Sequence, residues 1–294
     1  MKTLREYVTD AQVAGVAIGH FNISNLEGLH GIYGAAKKLS IEAGHQIPVI
    51  IGLSEGEEDF VGRSEAVGMV QQLREVDQYP IFLNADHHYS FERAKLAIDA
   101  GFDAVIIDGA EKPHAENIAM TKQVVEYARS VASFENRDIL VEAEIGYIGS
   151  GSNIKETIPE GAGIKTTPAE AKEFVDATGI DMLAPSVGSI HGLIKSGKPH
   201  IDTDLVKQIK DITGLPLVLH GGSGLRDEDF TNGIKAGIAI VHINTEIRVA
   251  YDEALKQSII DKPNEVAPYK LLQPAVDAVQ AVVYDRLKLF NHIQ

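Results

Sequence analysis

Residues 80–107 read PIFLNADHHYSFERAKLAIDAGFDAVII. Pro80–Ala85 is a short apolar run of strand character, and it ends on Asp86-His87-His88. Phe91–Ala100 then spaces its apolar residues three and four apart, the period of a helix with one buried face. Ala104–Ile107 is a second β-branched run, so the stretch is one strand–helix–strand unit. Outward from it the alternation repeats. The expected strands are Val16–Phe21, Ile47–Leu53, Pro80–Ala85, Ala104–Ile107, Ile139–Ala143, Asp181–Pro185, Leu215–Leu219 and Ala239–Ile243. Ala115–Val131, Ala169–Thr178 and Thr203–Ile212 carry helical periodicity between them. Thr167-Pro168-Ala169-Glu170 and Asp202-Thr203-Asp204 supply the capping residue or early proline of a helix start.

Strict alternation of strand and helix calls for parallel β-structure. Eight such units either close a barrel or form a doubly wound sheet. A barrel places its chemistry on loops beyond many strands, whereas an open sheet concentrates it at a switch point. Polar residues here stand beyond most of the eight runs. They are Asn22 and Asn25, Ser54, Asp86-His87-His88, Asp108, Glu144, Ser189 and His191, His220, and Asn244-Thr245-Glu246. That spread predicts an α/β fold, a (β/α)8 TIM barrel. Leu271–Leu289 adds a C-terminal helix, expected on the barrel's outside or against a neighbouring subunit. No Pro/Ser-rich or low-complexity tract divides the 294 residues, so a single domain over residues 1–294 is expected.

Charge narrows the partners. With 42 acidic against 27 basic residues the formal net charge is −15, which opposes nucleic acid and anionic lipid. An anionic substrate therefore needs a locally favourable pocket. The opening MKTLREYVTD has no apolar run behind its charges, and nothing approaches the ~18 apolar residues of a membrane span. A cytoplasmic location is the default expectation. There is no cysteine, so any metal must be held by His, Asp or Glu.

His87, His191 and His220 follow the third, sixth and seventh strands. One histidine at a strand end usually just bonds a backbone carbonyl. Three on one rim suit a catalytic Zn²⁺ with an open coordination position. His30, His45, His114, His200 and His292 fall in helices or turns and read as surface or structural. His20, His88 and His242 fall at strand ends, where they would line the pocket. Asp86 precedes a proposed ligand, and position alone leaves two roles open, orienting an imidazole or transferring a proton. His220-Gly221-Gly222-Ser223-Gly224 ends the seventh strand, and His242-Ile243-Asn244-Thr245-Glu246 opens a helix after the eighth. Barrels frequently bind phosphate with these two loops, through backbone amides and a hydroxyl such as that of Ser223.

At these residues the sequence resembles the class II, metal-dependent ketose-bisphosphate aldolases. The likeness runs from Gly19-His20-Phe21-Asn22 to Tyr269–Phe290. It includes Pro48–Ser54, Ala85-Asp86-His87, Gly101–Gly109, Val141–Gly146, Val187–Gly192, Leu217–Gly224 and Asn244-Thr245-Glu246. The resemblance implies that His87, His191 and His220 bind the catalytic zinc and that Asp86 is the acid/base. It implies a second metal position at Asp108 and Glu144. Gly192, Gly221, Gly222, Ser223, His242, Ile243, Asn244 and Thr245 would hold dihydroxyacetone phosphate, and Ser54, Asn25 and Arg248 match further pocket positions. A monovalent cation, Na⁺ or K⁺, would sit near the phosphate, and a homodimer or homotetramer is expected.

The implied reaction is reversible retro-aldol cleavage of a phosphorylated ketose, fructose 1,6-bisphosphate first, with tagatose bisphosphate or another phosphorylated ketose as alternatives. A non-catalytic sugar-phosphate binder is the rival from another class. A barrel metallohydrolase would instead need a His-x-His pair on strand 1, where His20-Phe21-Asn22 stands. Departures from the family pattern are Asn84 for a His, His88 for a Gly, His20 for an Ala, and Ile240-Val241-His242 for Lys-x-Asn. The loop after Val141–Gly146 reads Gly149-Ser150-Gly151-Ser152-Asn153, so the family's proton-moving glutamate is absent and Glu156 and Glu160 are the nearest substitutes.

Overall fold

The computed structural model describes residues 2–149, 151–197 and 199–293. Eight parallel strands close a barrel, as the alternation requires. In chain order they are β1 (Ile18–Asn22), β2 (Val49–Leu53), β3 (Ile81–His88), β4 (Ala104–Asp108), β5 (Leu140–Ile145), β7 (Met182–Pro185), β9 (Leu217–Leu219) and β10 (Ile238–His242). Closure comes from β1 pairing with β10, Ile18 opposite Ile240 and His20 opposite His242. All eight sequence runs are barrel strands, with ends displaced by a few residues at most. Two further strands were not foreseen. β6 (Ile154–Lys155) and β8 (Leu193–Ile194) pair in parallel and join the loops that follow β5 and β7.

Two apolar sets keep the barrel in shape. Inside, Ile18, Ile50, Phe82, Leu140, Met182, Val218 and Ile240 pack with Leu4, Val8 and Ala11 of α1 (Leu4–Ala14), which plugs one end. Thr3 and Glu6 form a capping box that starts this plug. Outside, the alternate strand residues meet the helices in a larger cluster containing Phe21, Ile51, Leu83, Val105, Val141 and Leu219. Burial on both faces explains why the strands read as near-continuous apolar runs. Helices α2 (Leu26–Ala43), α5 (Phe91–Ala100), α7 (Pro168–Thr178) and α8 (Thr203–Thr213) open on Asn25, Ser90, Thr167 and Asp202, whose side chains accept a first-turn N–H. The C-terminal stretch is α11 (Pro268–Phe290), and it packs against α2 and α10 (Thr245–Asp261). Ala275, Val279, Val283, Leu287 and Phe290 are its buried stripe. Of the two placements open to this helix, the barrel's own exterior is the one it takes.

The apolar filling stops halfway up. Above Ile18 and Phe82, the inward positions of β1 and β3 become His20 and Asn84, whose side chains meet at 3.0 Å. Gly52 of β2 makes the room, since a Cβ there would lie 2.2 Å from His20 Cε1 and 2.6 Å from Asn22 Oδ1. Gly52→Ala is therefore expected to lower stability by about 1–3 kcal/mol, the range for overpacking. Adding His20→Ala should return much of that loss in a urea-unfolding double-mutant cycle. Additive losses would show that His20 yields freely and the contact is unimportant.

Candidate active site

The end of β3 carries the site's most unusual backbone. Pairing with β4 shifts register between Ala85 and His88, and His87 has φ +49°. A non-glycine residue in this left-handed region costs of order 1–3 kcal/mol, and such strain collects at functional sites. The consequence is geometric. Without the bulge, side chains would alternate, and Asp86 and His88 would face inward together. With it, the adjacent residues Asp86 and His87 both line the mouth. His88 instead pairs in register with Ile107, and its Nε2 lies 3.0 Å from Glu58 Oε1 with both side chains fully buried. The expectation that His88 lines the pocket is thereby corrected. Its carboxylate partner also receives Arg63 at 2.7 Å and Arg93 at 3.4 Å, tying β3 to α3 (Glu55–Val61).

His87, His191 and His220 converge from three elements. Their ring centroids are 5.0, 4.7 and 5.7 Å apart, each pair edge-on. Together with Glu144 they present ligand atoms that all lie within 4.8 Å of one another. A tetrahedral zinc with bonds of 2.0–2.1 Å spaces its ligands by roughly 3.4 Å, so modest closure suffices. The nitrogen atoms are directed for the task. Asp108 Oδ2 holds His87 Nδ1 at 2.8 Å, and Glu142 Oε1 holds His220 Nε2 at 2.8 Å. His220 Nδ1 is left buried with no partner, as is Glu144 Oε2. An imidazole fixed by a carboxylate on one nitrogen and orphaned on the other is the arrangement of a metal ligand. The donor set thus fits a divalent ion.

The electrostatics agree. Burial and the neighbouring His87 push His220 down to about 3, and burial lowers His191 well below the usual imidazole value. Both are neutral at physiological pH, the form a metal requires. Burial alone would lower His87 too, but the carboxylates of Asp86, Asp108 and Glu144 outweigh it and raise it to about 10. The place thus favours positive charge. Burial works to raise Asp86, yet His87, His242 and His20 together hold it well below the carboxylate range, so it stays ionised. Glu142 and Glu144 are pushed well upward, by burial first and then by Asp86 and Asp108 respectively.

Behind Asp86 stands a column of imidazoles. His20 and His242 stack with centroids 3.5 Å apart and rings 9° from parallel, and His242 lies 4.0 Å from His220. His242 Nδ1 is 3.5 Å from Asp86 Oδ1, and Asn22 Nδ2 donates to Asp86 Oδ2 at 2.8 Å. His20 is pushed down to about 4, chiefly by burial. The two histidines thus reach the site in different ways: His242 lines the recess beside Asp86, whereas His20 lies beneath it.

A narrow recess beside the histidines is lined by Gly192, Gly221, Ser223, Asn244 and Thr245. Gly221 has φ +63° and is pressed against the backbone of Ile190, where no side chain fits. Ser54, Asp108, Glu144 and Arg248 line the adjoining cavity of about 610 Å³. Four expectations need correction. Gly222 lies behind the recess, its Cα hydrogen face against the His242 carbonyl, where a Cβ would come within 2.8 Å. Ile243 is core, and its N–H donates to His20 O at 3.0 Å. Asn25 caps α2 through Gly28 N at 2.9 Å and gives its amide to Tyr251 at 2.8 Å, lining only a smaller side cavity. Glu156 is exposed and paired with Lys195 at 2.7 Å, and neither it nor Glu160 lines the cavity. Ser152 stands there instead, held by Asn244 at 3.1 Å and Arg248 at 3.3 Å; Ser150 lies outside the described residues. Glu142 and Glu57 were missed in the sequence. Glu142 and Glu144 stand two apart on β5, the spacing that puts both on one strand face.

The profile of class-II fructose-bisphosphate aldolases matches residues 2–294. The chain belongs to the class-II fructose-bisphosphate aldolase family. Fructose-bisphosphate aldolases of Geobacillus stearothermophilus and Staphylococcus aureus (strain Mu50) are 38% and 37% identical to it. Each alignment covers 98% of this chain and 96% of the relative. The crystal structure of the YdjI aldolase from Escherichia coli K12 superposes with a TM-score of 0.80 at 29% identity, over 98% of this chain and 96% of that one. The fructose-bisphosphate aldolase of Campylobacter jejuni shares the fold, with a TM-score of 0.78 at 17% identity over 98% and 94%. The protein is thus an aldehyde-lyase of a metal-dependent class. Among its described residues no helix is long and apolar enough to cross a membrane.

In this aldolase Asn22 bridges two buried carboxylates, Asp86 and Glu57, at 2.8 Å each. Asn22→Ala should cost about 1–3 kcal/mol, the desolvation penalty of acceptors left without their donor. Chemical denaturation measures it, and an unchanged midpoint would show that the bridge holds neither group.

Proposed function

We propose that the protein is a zinc-dependent aldolase that reversibly cleaves a phosphorylated ketose into dihydroxyacetone phosphate and an aldehyde. One observation carries this reading: an ionised Asp86 stands 3.8 Å from His87 Nε2, beside three imidazoles whose ligand atoms converge. His87, His191 and His220 would hold the ion, with Glu144 and Asp108 offering a second position. When bound, such an ion stabilises negative charge developing on the ketone oxygen. Asp86 takes the proton from the C4 hydroxyl as the C3–C4 bond breaks, and returns it in the synthetic direction. Asn22 and His242 fix its carboxylate. Gly192, Gly221, Ser223, Asn244 and Thr245 hold the phosphate at the start of α10, where the helix dipole favours an anion. That anchoring places the reacting carbons against Asp86. A monovalent cation, Na⁺ or K⁺, beside the phosphate completes the reading.

A non-catalytic sugar-phosphate binder would have no need of an ionised Asp86 held by Asn22, with its other oxygen left open beside the imidazoles. Asp86→Ala should keep bound zinc and lower the cleavage rate by about 10²–10⁴-fold, the usual contribution of a general acid–base group. His220→Ala should lose zinc by elemental analysis. Zinc lost from the Asp86 variant, or full activity in the metal-free native protein, would overturn these assignments.

A further inference from the structure

Ser54 and Arg248 both line the wide cavity, and both are committed to one carboxylate. Glu57, in the first turn of α3, is only 6% exposed. Its Oε2 accepts from Ser54 N and Ser54 Oγ at 2.9 Å each and from Asn22 Nδ2 at 2.8 Å. Its Oε1 accepts from Ser24 Oγ at 3.1 Å and pairs with Arg248 Nη2 at 2.5 Å. Asn25, another pocket position matched by the resemblance, is spent on capping α2 and on Tyr251. The bond to Ser54 N is an ordinary capping box. Ser54 Oγ belongs to the same cap, but Asn22, Ser24 and Arg248 reach Glu57 from β1, from the loop after it and from α10.

A carboxylate that gathers a backbone amide, two hydroxyls, a carboxamide and a guanidinium sits where those donors would otherwise receive an oxyanion of a ligand. A second phosphate dianion brought to Ser54 and Arg248 would have to strip Glu57 of its donors or stand beside it as a like charge. Like-charge juxtaposition of this kind costs several kcal/mol. The remaining lining offers little relief. Away from the ion position at Asp108 and Glu144, Glu55 and Glu111 face the same cavity, against Lys112 as the further Lys or Arg among the described lining residues. By contrast, the recess at Gly192, Gly221, Ser223 and Thr245 contains no such internal carboxylate among its lining residues apart from Asp86.

We infer that Glu57 is an internal stand-in for a second substrate anion, so that this aldolase takes a ketose with a single phosphate, on the dihydroxyacetone side, and releases an aldehyde without phosphate. The inference rests on the cleavage reading above and narrows it. Glu57 acts as a positioning residue, setting substrate choice through Ser54 and Arg248.

The test compares fructose 1-phosphate with fructose 1,6-bisphosphate, which differ only in the second phosphate. Dihydroxyacetone phosphate release is measured for the zinc-loaded wild type, Glu57→Gln and Glu57→Asp. The wild type should show the higher kcat/KM on the monophosphate, a result that needs no variant. Glu57→Gln should raise the bisphosphate-to-monophosphate ratio about 10-fold or more, through a lower KM for the bisphosphate. Glu57→Asp, which keeps the charge, should stay near the wild-type ratio. Wild-type preference for the bisphosphate, or an unchanged ratio in Glu57→Gln, overturns the inference while leaving the cleavage reading intact. No product from either sugar overturns the cleavage reading and the inference with it.

Discussion

The left-handed residue at His87 is the constraint behind the whole site. A β-strand shows alternate side chains to a barrel's interior, so two neighbouring residues cannot both face the mouth of a regular strand. The bulge at the end of β3 breaks that rule at one place. It puts Asp86 and His87 side by side and turns His88 outward to Glu58. The buried cluster of Glu58 with Arg63 and Arg93 lies directly behind the kink and gives it something rigid to lean on. A strained backbone persists only where its surroundings over-determine it, and here they do.

Much of the remaining architecture follows from keeping ionisable groups dry. A buried charge is tolerated when paired and hydrogen-bonded. Three inward carboxylates in the upper half of the barrel have nitrogens beside them: Glu142 has His220, Asp108 has His87, and Asp86 has Asn22 and His242, while Glu144 keeps an unpartnered oxygen among the imidazoles. The stack of His20 on His242 continues the polar column down to Asn84 and stops where Ile18 and Phe82 begin the apolar plug. Gly52 leaves the space that this column needs. The interior is therefore divided by depth, with packing below and charge pairing above, and only the upper part is equipped for chemistry.

Glu57 extends the same pairing logic to the rim of the cavity, beside the lining residues Ser54 and Arg248. One carboxylate gathers donors from three elements, taking the Ser54 hydroxyl and one nitrogen of the Arg248 guanidinium at the cavity's edge. The recess on the other side of the histidines has Asp86 as its one carboxylate among the described lining residues, with Ser223 accepting from Glu246 N. The proposed difference between the two ends of the substrate rests on this asymmetry.

The barrel is legible in the amino-acid sequence, because strands buried on both faces read as apolar runs and their polar ends stand out wherever the chain leaves the core. So is the grouping of His87, His191, His220 and Asp86, since these lie at the ends of runs that had to meet on one rim. Which strand-end residues turn inward is not legible there. His88 and His242 look alike in the sequence, yet the bulge in β3 sends one outward, while β10 keeps the other in register with His20 and beside Asp86. Nor does the sequence separate a glycine or isoleucine that touches a ligand from one that packs behind it, as Gly222 and Ile243 do. Asn25 is polar and correctly spaced but spent on capping α2. Glu57 reads as part of an acidic helix start, and only the fold brings Asn22, Ser24 and Arg248 to it across the barrel rim. Side-chain direction and hydrogen-bond allegiance are set by contacts between residues far apart in the chain, which no local pattern records.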